Sequence, residues 1–526
     1  MAPPLDTPNP SLNDPIASIR DGGTLTQSKP GDGPRAVVIG SGFGGLAMAV
    51  RLLVRGYQVT VFEKRDGPGG RAYVYKQDGF TFDAGPTIVT APYLFEELWA
   101  LCGRRLEDDV KLVSMDPFYK IRFDDGFVFS YSGDDDEMRE QIARIDPSEV
   151  DNYRRYMDAS AEIYQTAFAK LADQPFHKFG VMLGELPAMV RLGGMRSVVS
   201  KVGDFFKNEK LRIIFSFHPL LIGGNPLTTT AYYCLIGHLE RKYGVHFAMG
   251  GTGSLVDGLV RLIESQGGVM RYNAEVDEII VADGRAKGVR LAGGEVAPAD
   301  VVVSNADPAS TYGSLMKAPR RRWSDRKLAN ADYSMSLFVW YFGTNKQWPD
   351  VYHHMMVLGP RYDGLLKDIF SRKRLADDCS LYLHRPTATD PSLAPEGCDA
   401  FYVLSPVPNL KSGVDWRAQA EPYRQAVQKR LEETVMPGLG DAIVTSHMIT
   451  PIDFRDTLNS IEGAAFAMEP KLFQSAWFRP HNISEEIDGL YLVGAGTHPG
   501  AGMPGVLCSA KVVDKLLDER ARMGAR

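Results

Sequence analysis

The stretch Ala36-Val37-Val38-Ile39-Gly40-Ser41-Gly42-Phe43-Gly44-Gly45 constrains this chain more than any other part of it. Four consecutive apolar residues predict a buried parallel strand, the glycines a tight turn, and Leu46-Ala47-Met48-Ala49-Val50 a helix. That order aims free N–H groups and the positive end of a helix dipole at a pyrophosphate. The next apolar run, Val59-Thr60-Val61-Phe62, closes on Glu63 and then Lys64. This acid lies about 20 residues on, where a carboxylate can accept hydrogen bonds from an adenosine ribose. Gly40 permits the turn, Gly42 lets backbone approach phosphate, Gly44 belongs to the same cradle, and Gly45 lets the helix pack on the strand. An α/β, Rossmann-like dinucleotide domain follows.

Gly67-Pro68-Gly69-Gly70-Arg71, just after Glu63, selects the cofactor. A nicotinamide enzyme has no need of a glycine pair and an arginine there. An extended FAD needs backbone amides and a cation along its phosphate and ribityl portion, so FAD is expected, with Gly70 and Arg71 among its contacts. Near the other terminus, Val493-Gly494-Ala495-Gly496-Thr497-His498-Pro499-Gly500-Ala501-Gly502-Met503 forms a second strand and glycine turn leading into a helix, with no following strand and acid. It cannot be a complete mononucleotide unit and is expected to complete the first one, through Gly496, Gly502 and Met503.

At 526 residues the chain exceeds one hydrophobic core, so two or three domains are expected. A net charge of -6 gives no case for nucleic acid. The five cysteines are odd in number, far apart and without metal-ligand spacing, which reads as a reducing compartment and no metal. Asp134-Asp135-Asp136-Glu137 reads as a solvated helix start. No stretch approaches the roughly 20 apolar residues that cross a bilayer. The segment 1–33 is rich in Pro, Ser, Asp and Gly, lacks the features of a secretion signal, and is expected to be a disordered tail.

Along the chain, the discontinuous FAD-binding domain is expected over 34–112, 245–312 and 480–526, the last part of the middle segment opening at Val301-Val302-Val303-Ser304-Asn305 into a turn by the cofactor. Aromatic-rich alternation predicts an antiparallel-sheet substrate domain over 113–146 and 313–479. Its many aromatics suit a long apolar ligand and suit any sheet core equally. Helical periodicity dominates 147–244. Within it, Phe176 to Asn208 carries Phe179, Leu183, Leu186, Val190, Met195, Val198 and Phe206 edged by Lys178, Arg191, Arg196 and Lys201. This is either a face that lies in a membrane's headgroup layer or a core helix with a solvated basic edge. The basic cluster from Lys317 to Lys327 reads as a solvated loop that would extend such a face if it exists.

Several stretches carry a family resemblance: Gly69-Gly70-Arg71-Ala72-Tyr73, Phe82-Asp83-Ala84-Gly85-Pro86-Thr87, Phe215-Ser216-Phe217-His218-Pro219, Ser304-Asn305-Ala306-Asp307, Trp477-Phe478-Arg479-Pro480-His481-Asn482 and the Val493–Gly502 turn. On these the chain resembles the bacterial-type phytoene desaturases, carotenoid desaturases of the FAD-dependent amine-oxidase-like superfamily, over nearly all of its length after residue 34. The resemblance implies an amine-oxidase/GDI-like fold with a helical membrane-associating domain over 147–244. It also implies FAD as sole redox cofactor, held by Glu63, Gly70, Arg71, the backbone of Val276 and the Gly496 to Met503 turn. It implies stepwise desaturation of 15-cis-phytoene toward neurosporene or lycopene, by a protein attached peripherally to the cytoplasmic face of the membrane that dissolves phytoene and the later intermediates. The terminal electron acceptor stays open between oxygen and a membrane quinone. Around Val181 and Gly184 the chain lacks the carboxylate and arginine of some relatives, so no role is transferred there.

An all-hydrocarbon substrate offers no polar handle, so an apolar tunnel leading to the flavin is expected, with orientation coming from cavity shape. His498 and Asp83 sit in turns expected near the flavin, as catalytic groups or as holders of backbone. A cis-trans isomerase, a C30 desaturase, an amine oxidase and a non-enzymatic isoprenoid-binding protein of the same fold remain the rival readings.

Overall fold

The computed structural model describes residues 33–317 and 322–524. Apart from Gly33, the expected tail lies outside the described residues, as do Arg320 and Arg321 of the basic cluster.

Arg35–Ile39 takes the centre of a five-stranded sheet because Ala36 to Ile39 are apolar on both faces and all buried. The spatial order is Leu490–Leu492, Val301–Ser304, Arg35–Ile39, Gln58–Phe62, Val269–Arg271, with every neighbouring pair parallel. The sheet thus gathers strands from both ends of the sequence, and it does so around the glycine turn that follows Ile39. Helix Phe43–Val54 is buried around its circumference from Leu46 to Val50, because helices Thr252–Ser265 and Met503–Gly524 pack against it.

The second sheet has seven strands in the order Ile443–Ile449, Ser336–Thr344, Asp399–Val407, Leu381–His384, His354–Val357, Tyr119–Arg122, Val128–Tyr131. All pairs are antiparallel except His354–Val357 with Tyr119–Arg122. Ser336–Thr344 is buried throughout: Leu337, Val339 and Tyr341 face one core, while Phe338, Trp340 and Phe342 pack with helix Trp416–Thr434 in another. One face of this sheet is therefore sealed by a helix, and the other is left to enclose a cavity.

A helical region includes Val150–Ile163, Phe179–Arg191, Glu209–Ser216 and Leu235–Tyr243. The Phe176–Asn208 segment divides between the two expectations for it. Met182, Leu192, Val198 and Phe206 are buried, whereas Phe179, Leu183, Leu186, Val190 and Met195 are exposed, Val190 by 57% and Met195 by 66%. Three of its cations are paired with acids: Lys178 with Glu519, Arg191 with Glu162 and Arg196 with Asp204. The acidic run begins a helix as expected, with Asp134 accepting from the Glu137 N–H at 2.9 Å. No helix among the described residues is long and apolar enough to cross a membrane.

Candidate active site

The remote glycine turns meet. Asn305, at the end of its strand, donates its backbone N–H to Ile39 O at 2.8 Å and sits between them. A Cβ on Gly44 would lie 2.7 Å from Asn305 Oδ1 and 3.0 Å from Gly494 Cα, so the N-terminal and C-terminal turns are in backbone contact. Gly494 itself has φ +97° and its Cβ would lie 2.6 Å from Asn305 Oδ1, a place that admits glycine only. The second glycine segment joins the same cluster through Gly69 N–H to Ser41 O at 3.0 Å.

A cavity of about 1470 Å³ opens from these turns. Its polar end is lined by Gly40, Gly42, Gly44, Glu63, Lys64, Gly70, Arg71, Val276, Asn305, Gly502 and Met503, the predicted cofactor residues. Helix Phe43–Val54 starts there at Gly42 with no side-chain cap, leaving its first N–H groups for a ligand. Glu63 accepts from Ser41 N–H at 2.9 Å, Ser41 Oγ at 2.7 Å and Arg65 N–H at 3.0 Å, holding the turn as well as lining the cavity. Lys64 donates to Asp456 O and Asn459 Oδ1, and Arg71 Nη2 to Ser460 Oγ at 2.8 Å, so one loop of the second sheet's domain closes over this end. Arg71 Nε is buried without a partner, and burial lowers its guanidinium pKa against the pull of the Asp307 carboxylate. An uncapped helix start and a buried, under-bonded arginine fit an anionic dinucleotide such as FAD.

Two predicted glycines serve packing. Gly45 is not among the lining residues, since its Cβ would meet Gly40 O at 2.1 Å, and Gly496 packs under Pro308, whose Cδ lies 2.1 Å from its would-be Cβ. Asp83 is likewise outside the cavity lining. Its carboxylate accepts from Thr252 N–H at 2.9 Å and Gly253 N–H at 3.3 Å, capping the helix that begins there, and burial pushes its pKa up to about 6. The reason is that helix Thr252–Ser265 starts on glycines that offer no side-chain cap of their own. His498 does line the cavity; its Nε2 donates to Leu171 O at 3.0 Å, its Nδ1 is buried without a partner, and burial lowers its pKa to about 4.

The other end is apolar, walled by Leu220, Leu337, Met356, Leu404, Ile449 and Phe454 among others. Pockets for drug-sized ligands run to about 1,000 Å³, so this one has room for a second, oily ligand beside a nucleotide. Polar groups interrupt the wall at Thr87, Tyr382 and Tyr402 and at Glu240, which accepts from Tyr119 Oη at 2.6 Å and lies 3.2 Å from His218 Nε2. Sequence reasoning gave none of these a role. Arg479, 1% exposed, donates to Ala495 O at 2.7 Å and to Met468 O, fixing the C-terminal glycine turn; it stands in the Trp-Phe-Arg-Pro-His-Asn stretch, which was the available signal.

The model of the family described as flavin containing amine oxidoreductase matches residues 43–513. A phytoene desaturase (neurosporene-forming) of Cereibacter sphaeroides is 49% identical over 94% of this chain and 96% of its own length. A phytoene desaturase (lycopene-forming) of Pseudescherichia vulneris is 48% identical over 92% of this chain and 99% of its own. Among solved structures, a putrescine oxidase bound to putrescine shares the fold with a TM-score of 0.62 at 14% identity, over 92% of this chain and 99% of that one. An oxidoreductase from Methanosarcina mazei does so with 0.61 at 17%, over 91% and 100%.

Proposed function

The chain belongs to the flavin containing amine oxidoreductases and, within them, to the phytoene desaturases, and from that premise we propose how one cavity serves both FAD and polyene. The protein is a flavin-dependent oxidoreductase acting on CH–CH bonds, and it desaturates phytoene. The observation that carries the reading is continuity: the glycine-lined end and the apolar end are one space. Bound FAD supplies the hydride acceptor. Arg71 and the N–H groups after Gly42 would hold its phosphates, the Arg479-braced glycine turn would complete its cradle, and the apolar walls would fix which carbons of a featureless chain are presented to it.

Helix Phe179–Arg191 is the doorway. Met182, Glu185 and Met189 line the cavity from one side of it, and Phe179, Leu183, Leu186 and Val190 are exposed on the other. Phe473, 70% exposed, adds to the apolar surface close to Trp477, which packs on Phe179. Lipid bearing phytoene meets the outer face of this helix, on the cytoplasmic side of the membrane where the five unpaired thiols stay reduced. Because three of the neighbouring cations, Lys178, Arg191 and Arg196, are paired with acids, apolar burial carries most of the attachment. A membrane quinone or oxygen would be the terminal electron acceptor.

Conversion of phytoene in liposomes with added FAD, aerobically and anaerobically with quinone, tests the activity by the appearance of conjugated polyene. The doorway is tested by Leu183→Asp with Val190→Asp, which should abolish liposome flotation and conversion while FAD stays bound. Flotation equal to wild type removes the helix from the account.

A further inference from the structure

A hydrocarbon cavity has little use for hydroxyl groups, yet three of them line this one in a chain. Tyr402 Oη donates to Gly85 O at 2.8 Å; Thr87 Oγ1 lies 2.8 Å from Tyr402 Oη and 3.3 Å from Tyr382 Oη; Tyr382 Oη lies 2.7 Å from His354 Nδ1. Strand register builds the arrangement. Met356, Tyr382 and Leu404 form one row across three strands, and His354, His384 and Tyr402 form the row two residues along, on the same face of the sheet. The chain also begins at the right place. Gly85, which accepts from Tyr402, lies against Arg71 O, 3.2 Å from its would-be Cβ, so the start of the chain touches a residue of the cofactor end.

We propose that Tyr382, with His354 behind it, takes up the proton released by each desaturation. The inference rests on the reading of the chain as a phytoene desaturase. In one step the C–H bond at an allylic carbon breaks with its electron pair, and hydrogen leaves as hydride toward the flavin. The neighbouring C–H bond gives its proton to Tyr382 Oη, and its electron pair becomes the second bond of the new double bond. The phenol's own proton passes to His354 Nδ1, leaving a neutral phenol and an imidazolium. The same phenol returns the proton when the two-electron acceptor, a quinone or oxygen, is reduced, so the two hydrogens of the substrate end on the acceptor. As the hydride departs within that same step, the neighbouring C–H grows acidic, so a weak base is sufficient.

His354 is suited to this role. It is 2% exposed, and its Nε2 has no partner in the structure, so the ring is free to carry hydrogen there and present Nδ1 as the acceptor. Burial and the neighbouring His353 hold its pKa well below the ordinary value, so it is neutral at rest. His353 and His384 satisfy one another, Nε2 to Nε2 at 3.1 Å, and His353 Nδ1 meets Thr389 Oγ1 at 2.7 Å. The three imidazoles lie close enough together to hold a metal ion. They include no carboxylate, and Arg385, paired with Asp399 at 2.8 Å, is the nearby cation acting on His353, so the cluster reads as a neutral set. Tyr382 touches the cavity and is the catalytic group; His354 is its positioning residue.

Anaerobic reduction of the bound flavin by phytoene, followed by stopped flow in light and heavy water, is the test. In wild type, heavy water should slow the reduction, because the transferred hydroxyl proton exchanges whereas the substrate's C–H bonds do not. Tyr382→Phe should lower the rate by about 10²-fold, leave the phytoene KM in place and lose the solvent effect. His354→Gln should lower the rate and keep FAD and KM. A Tyr382→Phe enzyme that reduces at the wild-type rate overturns the proposal, as does a stoichiometric transition metal on the purified protein. If Tyr382→Phe fails to fold, absence of the solvent effect in wild type overturns it alone. If wild-type flavin is not reduced by phytoene at all, the functional reading has failed instead.

Discussion

The two ends of the cavity are built by different means. At the cofactor end the contact surface is built from glycines: Gly40, Gly42, Gly44 and Gly494 close around the one side chain of Asn305, and Gly44 meets the Gly494 main chain directly. At the polyene end the surface is side chain, contributed by strands and helices from residue 87 to residue 454. Backbone surfaces tolerate no added atom, because nothing in them can rotate away. Side-chain surfaces tolerate exchange at the expense of shape, which suits a family whose members at 47–50% identity form either neurosporene or lycopene.

Single substitutions should expose this contrast, the strongest first. Gly45→Ala sets a methyl 2.1 Å from a carbonyl oxygen of the same turn, and should cost about 3 kcal/mol and yield protein without flavin. A yellow, wild-type-stable variant would break the contrast outright.

Acid should weaken both ends together. His498 at the cofactor end and His353 beside the polyene end have pKa values lowered by burial to about 4 and about 3. Such imidazoles are neutral in the fold and protonated in the unfolded chain between those values and about 6.5, so their stabilisation is complete above about pH 6.5 and is lost as pH falls through the folded values. Each costs roughly 2 kcal/mol at about pH 5 by that linkage. Asp83, pushed up to about 6, runs the other way: its contribution is complete below its unfolded value near 3.8 and lost as pH rises through about 6, so it offsets part of the loss. Denaturant unfolding at the two pH values measures the sum, and His498→Gln should reduce the acid sensitivity. An unchanged slope would mean His498 is not held neutral.

Arg71→Met should weaken FAD binding by about 10-fold to 100-fold, the loss of a charge-assisted hydrogen bond, with little change in the melting temperature of the apoprotein. Titration of apoprotein with FAD checks it, and an unchanged affinity would move the phosphates elsewhere. Asp83→Ala should cost about 1 kcal/mol of stability through the lost helix cap, while the rate of reduction per bound flavin is kept. A collapse of that rate would return Asp83 to catalysis. Smallest of all, Leu404→Met at the apolar end should cost less than about 1.5 kcal/mol, keep full flavin and alter only the product mixture.

What the sequence disclosed follows the same division. Backbone surfaces need glycine at fixed positions along one stretch, so Gly40 to Gly45, Gly69-Gly70-Arg71 and the Val493–Gly502 turn were readable as motifs. Gly45 could be read as the packing glycine and meets Gly40, whereas Gly496 was expected at the cofactor and meets Pro308 instead, because packing demands the same residue as phosphate approach. Asp83 could be read as a catalytic group or as a holder of backbone, and the choice depends on partners, Thr252 and Gly253, that stand 169 and 170 residues away. The hydroxyl and imidazole chain has no local signature, since Thr87 comes from a loop and His354, Tyr382 and Tyr402 from three different strands, where they alternate like any other strand residues. In the Phe176–Asn208 segment the apolar spacing was visible, but its split into core and exposed halves depends on which helices cover it.

The central claim is that both glycine turns grip one FAD whose ring opens into the apolar end, and a crystal structure of the FAD complex tests it most directly. The account expects the pyrophosphate at the start of helix Phe43–Val54, beside Arg71, and the ring facing Thr87 and Tyr382. A dinucleotide touching only one of the turns, or a ring sealed off from Leu337 and Leu404, would contradict it.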